Sequence, residues 1–235
     1  KMTKNQMKEG LFLAEGRKGL ARLPDKTIDL IVTNPPESPW QDISENNPPL
    51  TLQEYYQWNE KWLEQSFRVL KSTGSIYLIC GWRYSGMYHA LLSNNFNVQS
   101  RITWRYNRAK DQPRLVIWRN VLSDIWFATK TNEFMFDQKK VSSFKEVEQN
   151  QQLNNLWGDI LDIRIGAEGQ YEGGKPEQVL KRIFTVSSFK LNWVVDPFMG
   201  RGSVGIMAKK TGRRFVGFET DQDQLLLAMK HIDQA

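Results

Sequence analysis

Cysteine is almost missing from this sequence: Cys80 is the only one in 235 residues, and histidine occurs only at His89 and His231. A single thiol cannot close an internal disulfide, and one Cys with two His cannot build a Cys/His zinc cluster. Cys80 ends the apolar run IYLIC, the setting of a small buried hydrophobe rather than of a nucleophile. Long hydrophobic runs are missing too. No stretch reaches the roughly 18 apolar residues of a membrane span, and no apolar leader with a cleavage site opens the sequence. The expectation is an intracellular, cytoplasmic protein without a structural metal.

An acidic excess is also absent. Lys and Arg outnumber Asp and Glu by 32 to 26, giving a net charge of +6 and a pI near 9.3. That balance favours an anionic partner, with DNA, RNA and acidic membrane all open. At 40% hydrophobic and 25% charged residues, disorder is not the default. The length suits one domain, 1–235, with an embedded insertion. Nine Trp and twelve Phe supply large core residues, and Trp rings also serve where bases stack.

Strand-like runs alternate with helix-like ones. Residues 28–33 (IDLIVT), 75–80, 98–104, 121–128, 193–196 and 215–219 read as strands, with 121–128 able to pair with 98–104. Residues 52–70, 84–92, 176–187, 204–210 and 222–231 read as helices. The alternation predicts an α/β fold, a Rossmann-like, mostly parallel sheet flanked by helices. From about 105 to 174 this rhythm fails; the polar, Asn-, Gln- and Lys-rich stretch reads as surface insertions.

The strongest local signal is residues 193–221, WVVDPFMGRGSVGIMAKKTGRRFVGFETD. A buried strand ends at Asp196, a turn with Gly200 and Gly202 opens a helix, and a second strand ends at Glu219. One βαβ unit puts that turn and that strand end at the same sheet edge. The glycines let a backbone approach a ligand, and a helix start offers free N–H groups to a carboxylate. Glu219 is placed to accept from two ribose hydroxyls, and Asp196 suits an ammonium group, directly or through water. An adenosyl group with an amino-acid tail satisfies all three. Nicotinamide and flavin binding compete, although GRGSVG is not the usual G-x-G-x-x-G set directly after a strand.

The second signal is Asn34-Pro35-Pro36 at the end of IDLIVT. Consecutive prolines lack N–H donors but keep their carbonyls, leaving a stiff edge of acceptors: the Asn34 side-chain oxygen and the Pro35 carbonyl. An exocyclic base amine is a poor nucleophile because its lone pair is delocalised into the ring. Two acceptors on its N–H groups favour the pyramidal geometry that develops as a methyl group arrives. A plain strand-terminating turn gives the same three letters.

Together these motifs make the sequence similar to the DNA amino-methyltransferases of adenine N6 and cytosine N4, in the permuted group whose catalytic motif precedes the cofactor motif. IDLIVTNPP resembles the catalytic (D/N/S)-P-P-(Y/F/W) segment, EGGKPEQVLKRIF the lysine-proline segment, and DPFMGRGSVGIMAKKTGRRFVGFETD the cofactor segment. LFLAEGRKGLARLPDKTID matches the family's start and LEQSFRVLKSTGSIYL the helix and strand after the catalytic loop. The resemblance implies catalytic roles for Asn34, Pro35 and Pro36. It implies contacts to S-adenosyl-L-methionine for Lys175, Asp196, Phe198, Gly200, Gly202, Ser203 and Glu219, with Glu15 near the adenine. The family carries an aromatic after the prolines to stack on the target base. Glu37 stands there in this sequence, with Trp40 as the nearest substitute, unless a stretch of loop between Pro36 and Glu37 is missing from the sequence.

The implied substrate is double-stranded DNA, whose target base must leave the stack to be reached. RITWRYNRAKDQPRLVIWRN interleaves Arg101, Arg105, Arg108, Lys110, Arg114 and Arg119 with Trp104, Tyr106 and Trp118, a pattern suited to phosphate contact and stacking. The insertion at 105–174 is then the target-recognition region. The resemblance also implies adenine N6 over cytosine N4, since Asn or Asp before the prolines is typical of the family's adenine enzymes and Ser of its cytosine-N4 enzymes. C5 methylation needs a proline-cysteine loop, which Cys80 lacks. Alternatives from other classes are a non-catalytic donor- or DNA-binding subunit and an RNA or protein amide methyltransferase. A homodimer, a partner subunit and a cognate restriction enzyme are all open, and in a bacterium the protein would associate with the nucleoid.

Overall fold

A computed structural model describes residues 1–39, 49–106, 121–141, 144, 154–162 and 177–235. Among them, eight strands form one sheet: β1 (Gly10–Leu13), β2 (Ile28–Thr33), β3 (Leu70–Gly81), β4 (Asn97–Tyr106), β5 (Leu122–Thr129), β6 (Leu156–Asp162), β7 (Trp193–Asp196) and β8 (Arg214–Glu219). Their order is β1-β8-β7-β2-β3-β5-β4-β6. Every neighbouring pair is parallel except the two that β5 makes, with β3 and with β4.

Alternation along the strands sends side chains to two faces. In β3, Ile76, Leu78 and Cys80 point to one core and Tyr77 and Ile79 to the other. The first face is covered by α1 (Gly16–Arg22), α2 (Leu52–Val69) and α3 (Trp82–Asn95), which contribute Leu20, Trp62, Leu63, Tyr88 and Leu92. The second is covered by α5 (Glu177–Ser187), α6 (Ser203–Lys210) and α7 (Gln222–Asp233), through Leu180, Ile183, Phe184, Val204 and Ala228. A short α4 (Gln138–Val141) lies between β5 and β6 in the chain.

Helix α2 shows how local sequence sets these boundaries. Thr51 and Glu54 cap its start reciprocally, the Thr51 hydroxyl accepting from the Glu54 amide and the Glu54 carboxylate from the Thr51 amide. Its apolar stripe runs Tyr55, Trp62, Leu63, Val69. No described helix is long and apolar enough to cross a membrane.

The alternating pattern located most of this sheet, and 121–128 does pair with 98–104, antiparallel. β1, α1, α4 and β6 lie outside that pattern. β1 and α1 occupy the opening segment that periodicity did not resolve, and β6 lies within the stretch taken as surface insertion, where it extends the sheet alongside β4.

The strand order fixes the site. From β2 the chain continues through α2 to β3 on one side; from β7 it continues through α6 to β8 on the other. β2 and β7 are therefore the pair at which the winding reverses, and ligands of open α/β sheets bind beyond the carboxyl ends of such strands. Asn34-Pro35-Pro36 follows β2 and the glycine turn follows β7. The two motifs meet there.

Candidate active site

Beyond the ends of β2, β7 and β8 lies a cavity of about 350 Å³. Its walls include Asn34, Pro35, Pro36 and Glu37 from the first motif, and Pro197, Phe198, Gly200, Glu219 and Thr220 from the second, with Ala14 and Gly16 from the start of α1 and Phe218 from β8. The sequence-derived catalytic and cofactor motifs thus share one chamber.

Thr33 and Asp196 join the two motifs at the base of the site. The Thr33 hydroxyl donates to Asp196 Oδ1 at 2.6 Å, and the same oxygen accepts the Phe198 amide at 3.1 Å. Asp196 is fully buried and set back from the cavity wall. It orders the turns on both sides rather than standing in the chamber.

Gly200 and Gly202 adopt positive φ, +50° and +83°, which a side chain would strain. At Gly202 the constraint is doubled, because a Cβ would lie 3.0 Å from that of Ala228 on α7. Glu219 closes this turn from the neighbouring strand. Its Oε2 accepts the Gly200 amide at 3.0 Å, and Oε1 accepts those of Thr220 and Asp221 at 2.8 and 2.9 Å. A carboxylate has about four acceptor positions, so Oε2 keeps one for a ligand. Ser203 begins α6, and the first-turn amides of a helix have no intrahelical acceptor.

Phe198 belongs to the chamber and to the core at once. It lines the chamber while its ring packs edge-on against Trp62 at 5.1 Å and tilted against Trp58 at 5.4 Å. Glu15 caps α1, accepting the Arg17 amide at 3.2 Å; its neighbours Ala14 and Gly16 are on the wall, and it is not. Lys175 and Trp40 lie outside the described residues.

The Asn34 side-chain oxygen is the outlier of the site. It is buried and has no hydrogen-bond partner among the described residues. Buried acceptors are rarely left so, and one that is calls for a ligand or a function.

The Pro36 carbonyl, in contrast, is held. It accepts a hydrogen bond from the hydroxyl of Tyr55 on α2. Tyr55 lies 3.2 Å from the Tyr88 hydroxyl of α3, which donates to Asn59 Oδ1 at 3.0 Å; the Trp62 indole N–H donates to that same oxygen at 2.9 Å. Burial pushes the Tyr55 and Tyr88 hydroxyls up from their ordinary range, so both stay protonated. Pattern reading missed Thr33, Tyr55, Asn59 and Tyr88. The one local clue was Asn59, a polar residue on the apolar stripe of α2, four positions after Tyr55 and three before Trp62.

Of the proposed DNA contacts, Arg105 is exposed near the end of β4; β4 runs parallel to β2, so its end lies on the site's side of the sheet. Arg108, Lys110, Arg114 and Arg119 lie outside the described residues, as does Trp118. Trp104 is buried in the core and is no stacking platform. Arg101 is committed to Asp124 through two 3.0 Å bonds. On the same edge, immediately after β3, Trp82 is 55% exposed with the Arg83 guanidinium 5.5 Å from its ring centre. Among the described residues no group of His, Cys, Asp or Glu is gathered for a metal. Burial pushes the Cys80 thiol up to about 12, so it is no thiolate nucleophile.

A family model described as DNA methylase, of N6 and N4 methyltransferases, matches residues 28–230. The chain is 24% identical to Type II methyltransferase M2.DpnII of Streptococcus pneumoniae, over 97% of this chain and 91% of that one. In structure it is similar to the cytosine-N4-specific PvuII DNA methyltransferase, with a TM-score of 0.78 at 17% identity, covering 96% of this chain and 86% of that one. A DNA modification methylase of Thermus thermophilus, complexed with S-adenosyl-L-methionine, matches with a TM-score of 0.70 at 18% identity over 96% of this chain and 93% of that one.

Proposed function

Since the chain belongs to the DNA methylase family of N6 and N4 methyltransferases, we propose that it carries a methyl group from S-adenosyl-L-methionine to the exocyclic amine of a base turned out of duplex DNA, adenine N6 in preference to cytosine N4. The observation that carries this reading is the buried Asn34 oxygen, unpartnered among the described residues, in a residue that lines the same chamber as Gly200 and Glu219.

The residues divide the work by wall. Glu219, whose other acceptor positions are taken by the Gly200, Thr220 and Asp221 amides, takes one ribose hydroxyl of the donor at its remaining position rather than two. The start of α6 at Ser203 receives its carboxylate, where helix N–H groups favour negative charge; Gly200 and Gly202, whose own amides go to Glu219 and the Met199 carbonyl, shape the turn that lets the donor approach. Phe198 borders its adenosyl group, Glu15 lies near the adenine behind the wall formed by Ala14 and Gly16, Lys175 is a further donor contact, and Asp196 meets its ammonium group only through water. When bound, the donor supplies an electrophilic methyl group on a sulfonium.

On the opposite wall, Asn34 Oδ1 and the Pro35 carbonyl accept the two N–H bonds of the base amine, and Pro36 stiffens the turn. As the new N–C bond forms the methyl–sulfur bond of the donor would break, leaving a neutral thioether; the amine becomes pyramidal and positively charged and then releases one of its two protons to give the neutral methylated amine. Fixed acceptors stabilise that charge without reorganising, so their contribution is larger in the transition state than in the bound substrate.

Arg105, with Arg108, Lys110, Arg114 and Arg119, meets phosphate, and residues 105–174 contribute target recognition. The exposed pair Trp82–Arg83 supports a nucleic-acid face on this edge. Asn at the head of the motif supports adenine.

Labelled donor incubated with mixed-sequence duplex, followed by nucleoside analysis, tests the reading. Label in N6-methyladenine, lost in Asn34→Ala by about a hundred- to a thousandfold, is the expected result. N4-methylcytosine would move the specificity without moving the mechanism. Tight DNA binding with no transfer would make this a recognition subunit, and label in RNA or protein would change the substrate class.

A further inference from the structure

We propose that Tyr55 is a positioning residue for methyl transfer: its hydroxyl, braced by Tyr88 and Asn59, fixes the Pro36 carbonyl and thereby the direction in which Asn34 and Pro35 present their acceptors. The inference rests on the functional reading above and deepens it by assigning a residue outside the motif.

Donor and acceptor bookkeeping makes the arrangement directional. A carbonyl can only accept, so the single Tyr55 proton goes to Pro36. An indole N–H can only donate, so Trp62 fixes which atom of the Asn59 amide is the oxygen. The other end of that amide donates to the Tyr55 backbone carbonyl at 2.9 Å, tying the side chain into α2. Tyr88 then has its one proton for Asn59 Oδ1 at 3.0 Å, with the Tyr55 oxygen beside it at 3.2 Å.

All four side chains are fully buried or nearly so: Tyr55, Asn59 and Trp62 at 0% exposure and Tyr88 at 1%. Burial shields the bonds among these four side chains from water, and the rings are pinned by packing, Tyr55 lying 5.2 Å from Tyr84 and stacked 6.4 Å from Trp58. Trp58 also touches Phe198, so α2 braces both walls of the chamber.

The prolines make this anchor matter. Each ring fixes its φ but leaves ψ free to reorient the carbonyl. Neither proline has an N–H with which to tie the turn, so the Pro36 carbonyl is where an outside group can set its orientation. Without it, the Asn34 amide and Pro35 carbonyl would sample directions away from the amine, and small misplacements of reacting groups cost large factors in rate.

Tyr55→Phe keeps the ring and removes only the donor. Single-turnover methyl transfer should fall roughly tenfold or more, in keeping with the sensitivity of oriented groups, while the dissociation constants for donor and duplex stay near wild type and the thermal midpoint falls only by the few degrees that one lost hydrogen bond costs. Tyr88→Phe, which spares the Pro36 bond, should fall less. If Tyr55→Phe does not fold, 3-fluorotyrosine at position 55 keeps the shape and changes only hydroxyl acidity, and the transfer rate should change with it. A Tyr55→Phe rate within twofold of wild type overturns the inference, as does a fall matched by equal losses in donor binding and stability, or an unchanged rate with fluorotyrosine. A wild-type protein that transfers no methyl defeats the functional reading and this inference together, whereas an active wild type beside an unimpaired variant defeats this inference alone.

Discussion

Thr33 and Asp196 stand 163 positions apart in the chain and 2.6 Å apart in the fold. Their bond shows what a single-residue reading of the sequence could and could not supply. Asn34-Pro35-Pro36 and the Gly200–Gly202 turn were legible because their chemistry is local: missing N–H donors, positive φ, a helix start. Thr33 was not, because its partner is decided by which strand lies beside β2, and nothing within IDLIVT specifies β7. Energetically the bond belongs to a carboxylate with no access to water. Thr33→Val keeps the shape and removes one donor, leaving Asp196 under-satisfied at a cost of about 1–3 kcal/mol. Urea unfolding of the variant checks this, and an unshifted midpoint would mean that Asp196 finds another donor at no cost. Cys80 went the other way: its apolar neighbours foretold a buried thiol, and the fold leaves it 3% exposed.

Elements were readable in proportion to how much of their pattern is their own. α2 announces itself through a capping box and an apolar stripe, and β2 through an unbroken apolar run ended by prolines. β6 has neither. LWGDILD carries a glycine and two aspartates and sits among polar residues, so its strand character comes from pairing with β4 rather than from propensity. β1 is only four residues long, too short for a period to show. In β6 the anchoring residue is Trp157, 7% exposed, its ring 5.3 Å from the Arg182 guanidinium and its indole N–H donating to the Asn154 carbonyl at 3.0 Å. Trp157→Ala removes that anchor and should destabilise the protein by about 3 kcal/mol, the scale of large-to-small truncation in a core. Denaturant unfolding measures it. A loss below about 0.5 kcal/mol, the size of an ordinary surface change, would show that β6 contributes little to the fold.

At the scale of the whole molecule, composition gave a sign of charge but no address. A net charge of +6 spread evenly would attract DNA weakly and everywhere. The sheet supplies the address, because the β2, β3, β4 and β7 strands point their carboxyl ends the same way. Arg83 just after β3, Arg105 near the end of β4 and Arg201 in the turn after β7 therefore lie along one edge, all exposed, around the chamber that holds Asn34. Three phosphate contacts from that edge release about three counterions, so log affinity for a duplex should fall against log salt with a slope of about −2.7, steeper if the residues between 107 and 120 add more. Arg105→Ala should flatten that slope by about 0.9 and weaken binding to all sequences alike, because a phosphate contact carries no base information. Fluorescence anisotropy on unrelated duplexes between about 50 and 200 mM salt, a range over which the effect is large, gives the slopes directly. Equal slopes for wild type and Arg105→Ala would take Arg105 off the DNA, and a flat line for both would take the DNA off this edge altogether.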